Sequence, residues 1–122
     1  MRALGLGLLL AMAAFPAAAD YRSECGSCHV AYPARLLPPA SWQQLMAGLE
    51  RHFGSDASLD ARANEEISRY LAANAGRRAP PPGAVPRITA TRWFLKEHGV
   101  VKNPSNCTAC HAGAEQGNYD DD

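Results

Sequence analysis

At 122 residues the chain has room for one small domain or two very small ones. Its 12 basic and 12 acidic residues balance and contain no basic run, which excludes a nucleic-acid binder. A polypeptide this short buries little apolar surface of its own and needs a further staple.

In chain order, the first feature is a leader. Arg2 is followed by an apolar run from Leu4 to Phe15, and Ala17-Ala18-Ala19 supplies small residues for cleavage. The pattern predicts a secretory signal peptide over residues 1–19, with Asp20 opening the mature chain. The apolar run falls short of the ~20 residues of a spanning helix. No later segment is apolar enough, so no transmembrane segment is expected after cleavage. Losing Arg2 from the 12 basic residues leaves 11 against 12 acidic, a formal charge of −1.

Next comes Cys25-Gly26-Ser27-Cys28-His29, a Cys-x-x-Cys-His pentapeptide. A first helix is then predicted. Ser41 is a fitting N-cap with Gln44 at the capping-box position, and Trp42, Leu45, Met46, Leu49 and Phe53 recur at helical spacing up to Gly54. His52 falls on that apolar stripe. A second helix is predicted from Leu59 to Ala75, capped by Ser58, with Ala63, Ile67, Tyr70, Leu71 and Asn74 on one side and Gly76 after it. Residues 77–86 contain four prolines, which cannot be helix and mark the expected boundary between two lobes. A third, shorter helix is expected from Thr91 to His98, with Gly99 as its stop; Phe94 and His98 share a face. The second Cys-x-x-Cys-His follows at Cys107-Thr108-Ala109-Cys110-His111. The closing Asp120-Asp121-Asp122 reads as a solvated tail. No alternating strand pattern appears, so the expected fold is all-α. The domains are 20–76 and 77–122, the latter including the linker 77–86.

Cys-x-x-Cys-His is the attachment signature of c-type haem. Both thiols form thioethers with the porphyrin and the adjacent His reaches the iron. The four cysteines, Cys25, Cys28, Cys107 and Cys110, all lie within the two copies, so two covalently bound haem c groups are expected. His29 and His111 are the proximal ligands. Two further axial positions meet two further histidines, His52 and His98, each near one motif. Met46 is the sole methionine outside the leader and competes with His52; as a single Met it reads as core filler. The sequence favours pairing His29 with His52 and His98 with His111, and leaves the crossed pairing open. Two rival chemistries use the same residues. Cys2His plus a spare His makes a tetrahedral zinc set twice over, and Cys-x-x-Cys could form disulfides or a thioredoxin-like pair. The latter wants an α/β pattern that is missing, and export with the His placed directly after each second Cys favours haem.

Two six-coordinate irons point to an electron carrier, not an enzyme, because bis-histidine ligation leaves the potential low and no site for oxygen. The alternative is a haem enzyme or gas sensor in which one distal His is displaceable.

The chain also resembles the small bacterial dihaem cytochrome c family, found with a monohaem oxygen-binding cytochrome and a membrane b-type cytochrome. The matching stretches are Cys25 to His29, Leu37-Pro38-Pro39-Ala40-Ser41-Trp42 and His52-Phe53-Gly54-Ser55-Asp56-Ala57-Ser58-Leu59-Asp60. They continue with Arg87-Ile88-Thr89, Trp93-Phe94, His98 and Asn106 to His111. The resemblance implies one haem per lobe, the first lobe similar to class I cytochromes c. It implies His29 with His52 on the first haem and His98 with His111 on the second. It further implies redox proteins as electron donor and acceptor; the leader places the mature protein in the periplasm, and a monomer is expected.

Overall fold

The computed structural model describes residues 17–120. Residues 1–16 of the expected leader, and Asp121 and Asp122 of the acidic tail, lie outside the described residues. Four α-helices carry the fold: α1 (Ala17–Cys25), α2 (Pro39–Ala47), α3 (Ala61–Asn74) and α4 (Arg92–His98). Single 3-10 turns at Ala34–Leu36, Leu49–Arg51, Ile88–Ala90, Cys107–Ala109 and Ala114–Gln116 lie between and after them. Among the described residues there is no strand, and the one extended pairing is an isolated bridge between His52 and Ser55. The all-α expectation holds.

The long helix α3 is the centre of the packing and lies against both α1 and α2. Its N-cap is Asp60, whose carboxylate accepts from the Ala63 N–H at 2.9 Å; Ser58 instead donates to Asp56. Ile67 and Leu71, one turn apart, are fully buried. Each contributes about 1.5–3 kcal/mol by leaving water. Around them gather Tyr21 of α1 and Trp42, Met46 and Leu49 of the α2 region. Tyr21 and Trp42 meet edge to face, with centroids 6.2 Å apart. The segment from Tyr32 to Leu37 is tied down at three points. Tyr21 Oη donates to the Tyr32 carbonyl (2.6 Å), Trp42 Nε1 to the Ala34 carbonyl (2.7 Å), and the Gly76 N–H to the Leu37 carbonyl (2.9 Å).

The helix expected between Ser41 and Phe53 is shorter and begins earlier. Pro39 opens α2 at its first turn, where a missing N–H is harmless and the fixed φ suits the helix. Ser41 is therefore inside the helix and buried, not its cap. Gly48 ends α2, and the chain continues through Leu49–Arg51 as a tighter 3-10 turn. His52 consequently stands on a turn and not on the stripe of a helix. The helix α1 was not anticipated by sequence patterning; Ala17, Ala18 and Ala19 of the expected leader form its first turn.

Beyond Asn74 the chain crosses the Pro-rich stretch, where Pro81 and Pro86 are buried and the Gln44 amide donates to the Ala84 carbonyl. Arg78 lies over the Trp93 ring at 4.3 Å. Ile88 joins the core of the first half, with Trp93 packed against it. Thr91 caps α4, its Oγ1 accepting from the Phe94 N–H (3.3 Å) and donating to the Ile88 carbonyl (2.6 Å). Gly99 ends α4 at φ +62°, as its position after the last periodic residue predicts.

Candidate functional site

The first Cys-x-x-Cys-His is built off the C-terminus of α1. Cys25 is the last helical residue, and the Gly26 N–H continues onto the Arg22 carbonyl at 3.0 Å. A Cβ at position 26 would stand 2.2 Å from that carbonyl oxygen, so only glycine allows the chain to turn there. His29 Nδ1 lies 2.7 Å from the Val30 carbonyl. A carbonyl only accepts, so Nδ1 carries the proton and Nε2 keeps its lone pair. His52 faces this ring with centroids 6.2 Å apart and planes 22° apart. Burial, and then the nearby His29, hold the His52 imidazole below its ordinary pKa, which favours the neutral, lone-pair form.

The second motif occupies the 3-10 turn Cys107–Ala109, closed by the His111 N–H on the Cys107 carbonyl at 2.8 Å. Helix α4 supplies His98 on its last turn. The His98 Nδ1 donates to the Phe94 carbonyl one turn back, at 3.0 Å, which again frees Nε2. The ring also stacks on Phe94 at 4.1 Å. His98 and His111 have centroids 6.1 Å apart with planes at 71°. A cleft of about 400 Å³ surrounds them, lined by His98, Cys107, Cys110 and His111 and, from the first half of the chain, by Tyr32 and Leu36. Tyr32 is a neighbour of both sites, its ring 5.3 Å from that of His29. Tyr119 plays the matching part at the second site, 5.2 Å from the His111 ring.

The spacing of the two pairs is informative. A first-row metal ion sits about 2 Å from a ligating imidazole nitrogen. Adding the half-width of each ring, two imidazoles that share one ion have centroids about 6 Å apart. Both pairs have that separation. No disulfide joins the four cysteines, of which Cys28 and Cys110 are exposed and Cys25 and Cys107 half-buried. Burial, then the charge of Glu24, pushes the Cys25 thiol up to about 11, and burial also raises that of Cys107. Among the described residues no three His, Cys, Asp or Glu side chains converge as a tetrahedral zinc set requires. An exposed and a half-buried thiol beside each His pair instead fit a group tethered by two bonds at the cleft edge.

Sequence reasoning did not single out Tyr32 or Tyr119, and gave Thr91 only as the start of the third helix. Tyr32 and Tyr119 belong to no motif, and the N-cap role of Thr91 is visible in sequence only as a Thr before an apolar run.

A family model for dihaem cytochrome c matches residues 21–119. A dihaem cytochrome c crystal structure from Rhodobacter sphaeroides is 45% identical, with a TM-score of 0.68, and the match covers 81% of this chain and 94% of that one. A dihaem c-type cytochrome from Shewanella baltica is 37% identical, with a TM-score of 0.72 and coverage of 87% and 89%. A second Rhodobacter sphaeroides dihaem cytochrome c structure gives 44% identity, a TM-score of 0.70, and coverage of 81% and 94%. No curated protein matches. Both Cys-x-x-Cys-His motifs and both histidine pairs fall inside the matched span, and the chain belongs to the dihaem cytochrome c family, carrying two haem c groups and having a haem-based electron-transfer role.

Proposed function

We propose that this chain is an exported, periplasmic electron carrier with two low-potential bis-histidine haems, and not an enzyme. In this reading Cys25 and Cys28 tether the first haem and His29 and His52 ligate its iron. Cys107 and Cys110 tether the second, ligated by His98 and His111. The observation that carries the assignment is the pair of imidazole–imidazole separations, 6.2 and 6.1 Å, each beside its own attachment motif. Haem iron supplies one-electron chemistry between its ferrous and ferric states. The residues of the chain fix its setting. Val30 and Phe94 hold the proximal His29 and the distal His98 by their Nδ1 protons, which orients each ring and raises its basicity as a ligand. Histidine at all four positions, with no Met ligand, keeps both potentials low.

The lobes of the proposal are 20–76 and 77–122, with 77–86 as the linker. No helix among the described residues is long and apolar enough to cross a membrane. Residues 1–19 act as the leader in this proposal. Following the family resemblance, electrons come from and go to other redox proteins. The proposed pair is a monohaem cytochrome and a membrane b-type cytochrome, docking as transient partners of a monomer.

Spectra of the reduced holoprotein with and without carbon monoxide test this. The native protein is expected to be inert to carbon monoxide. His52→Ala and His98→Ala are each expected to open one iron, giving a carbon monoxide shift at half of the haem and a raised potential for that haem. A rapid shift in the native protein would favour a displaceable distal ligand, and therefore an enzyme or sensor.

A further inference from the structure

The turn that presents His52 contains a side chain whose conformation costs the backbone. The His52 N–H donates to the Ser55 carbonyl at 2.8 Å and the Ser55 N–H returns to the His52 carbonyl at 3.0 Å. Between them stand Phe53 at φ +49° and Gly54 at φ +89°, the φ pair of a type I′ turn. That turn favours Asn-Gly, because both central residues need positive φ. Glycine meets the demand at 54. A bulky phenylalanine at 53 is sterically disfavoured, and among the described residues it is the one non-glycine at positive φ.

The ring makes two contacts that Asn or Gly could not. It meets the His52 imidazole edge to face, with centroids 4.8 Å apart and planes at 72°. The Arg87 guanidinium lies over the ring, 4.4 Å from its centroid. Arg87 belongs to the second half of the chain, and its backbone is fixed by the next residue, Ile88, which is buried in the first half's core. A cation seated on a ring is attractive at this distance.

We propose that Phe53 and Arg87 are positioning residues for His52: the Arg87–Phe53 stack holds the imidazole at the first iron and ties that ligand to the far side of the Pro-rich segment. The strained backbone at 53 is retained for its ring. The inference rests on His52 being an axial ligand.

The holoprotein variants Phe53→Asn, Arg87→Met and His52→Ala, compared with the native protein, test it. Phe53→Asn suits the turn better, so its melting temperature is expected to hold or rise. Its reduced form is nevertheless expected to bind carbon monoxide at one haem, and the potential of that haem to rise while the other stays unchanged. Arg87→Met, which keeps the aliphatic stem, is expected to shift the same haem in the same direction by less. If both variants stay inert to carbon monoxide with unchanged potentials while His52→Ala opens an iron, the positioning role is overturned and the ligand assignment stands. A lowered melting temperature without a change in either signature would likewise reduce Phe53 to a packing residue. If His52→Ala leaves both irons closed, the ligand assignment itself fails and this inference with it.

Discussion

At Gly76 two stretches of backbone approach closely. A Cβ there would stand 1.8 Å from the Arg35 carbonyl oxygen, a backbone atom that cannot swing aside as a side chain can. Its N–H also ties the end of α3 to Leu37. Gly76→Ala is expected to destabilise the holoprotein by at least the ~1–3 kcal/mol of ordinary overpacking, read as a lowered melting temperature. Asp56 offers a milder test in the same region. Its carboxylate accepts from the Ser58 N–H and hydroxyl, first the side-chain and then the backbone bond holding it below the ordinary 3.8. A depressed carboxylate stabilises the fold above its unfolded value and loses that contribution as pH falls through its folded value. The native melting temperature should therefore fall below pH 3.8 by slightly more than that of Asp56→Asn, the side chain being fully exposed.

Helix α4 shows how one capping residue bears on His98, the proposed ligand of the second iron. Thr91 is buried and both accepts and donates a hydrogen bond at the start of a helix only two turns long. Thr91→Val preserves the shape and removes both bonds, which is expected to cost about 0.5–2 kcal/mol. With His98 on the last turn, the melt should be accompanied by a spectral change at one haem only. The helices were unequally legible in the sequence. The second and third expected helices were readable because apolar spacing and a stop agreed; their bounds moved in slightly, to Ala61–Asn74 and Arg92–His98, and the cap of α3 moved from Ser58 to Asp60. The first was overextended because Leu49 and Phe53 continue the helical spacing of Trp42, Leu45 and Met46 across Gly48, where the chain tightens instead. Helix α1 gives little signal beyond Tyr21 and Cys25, one turn apart. At the site, attachment chemistry demands a contiguous pentapeptide, so both motifs were plain. The place of His52 on a strained turn was not, because a positive φ at a phenylalanine leaves no trace in composition or periodicity.

Burial is unevenly shared along the molecule, and that asymmetry predicts how it fails. The core cluster is built from α1, the Tyr32–Leu37 segment, α2 and α3, and past residue 76 its one buried member is Ile88. Farther along, Phe94 and Ala114 are the remaining buried apolar side chains among the described residues. Two such residues cannot offset the conformational entropy of ordering some thirty others, at roughly 1–2 kcal/mol of backbone entropy per residue. The segment from Thr91 to Tyr119 therefore depends on a group in the cleft of His98, Cys107 and His111, whereas the first half has an apolar core of its own. Cys107→Ala with Cys110→Ala, matured in cells able to attach the first haem, is expected to yield a protein with half the haem. Trypsin should cut it rapidly at Arg77, Arg78 and Arg92 and leave a resistant, haem-stained fragment from the first half. The reverse pair, Cys25→Ala with Cys28→Ala, is expected to lose resistance throughout less abruptly, because Ile67, Leu71 and Trp42 still pack without the tether. If the Cys107→Ala, Cys110→Ala protein resists trypsin as well as the native holoprotein, the second half folds without its haem and the cleft is not what orders it.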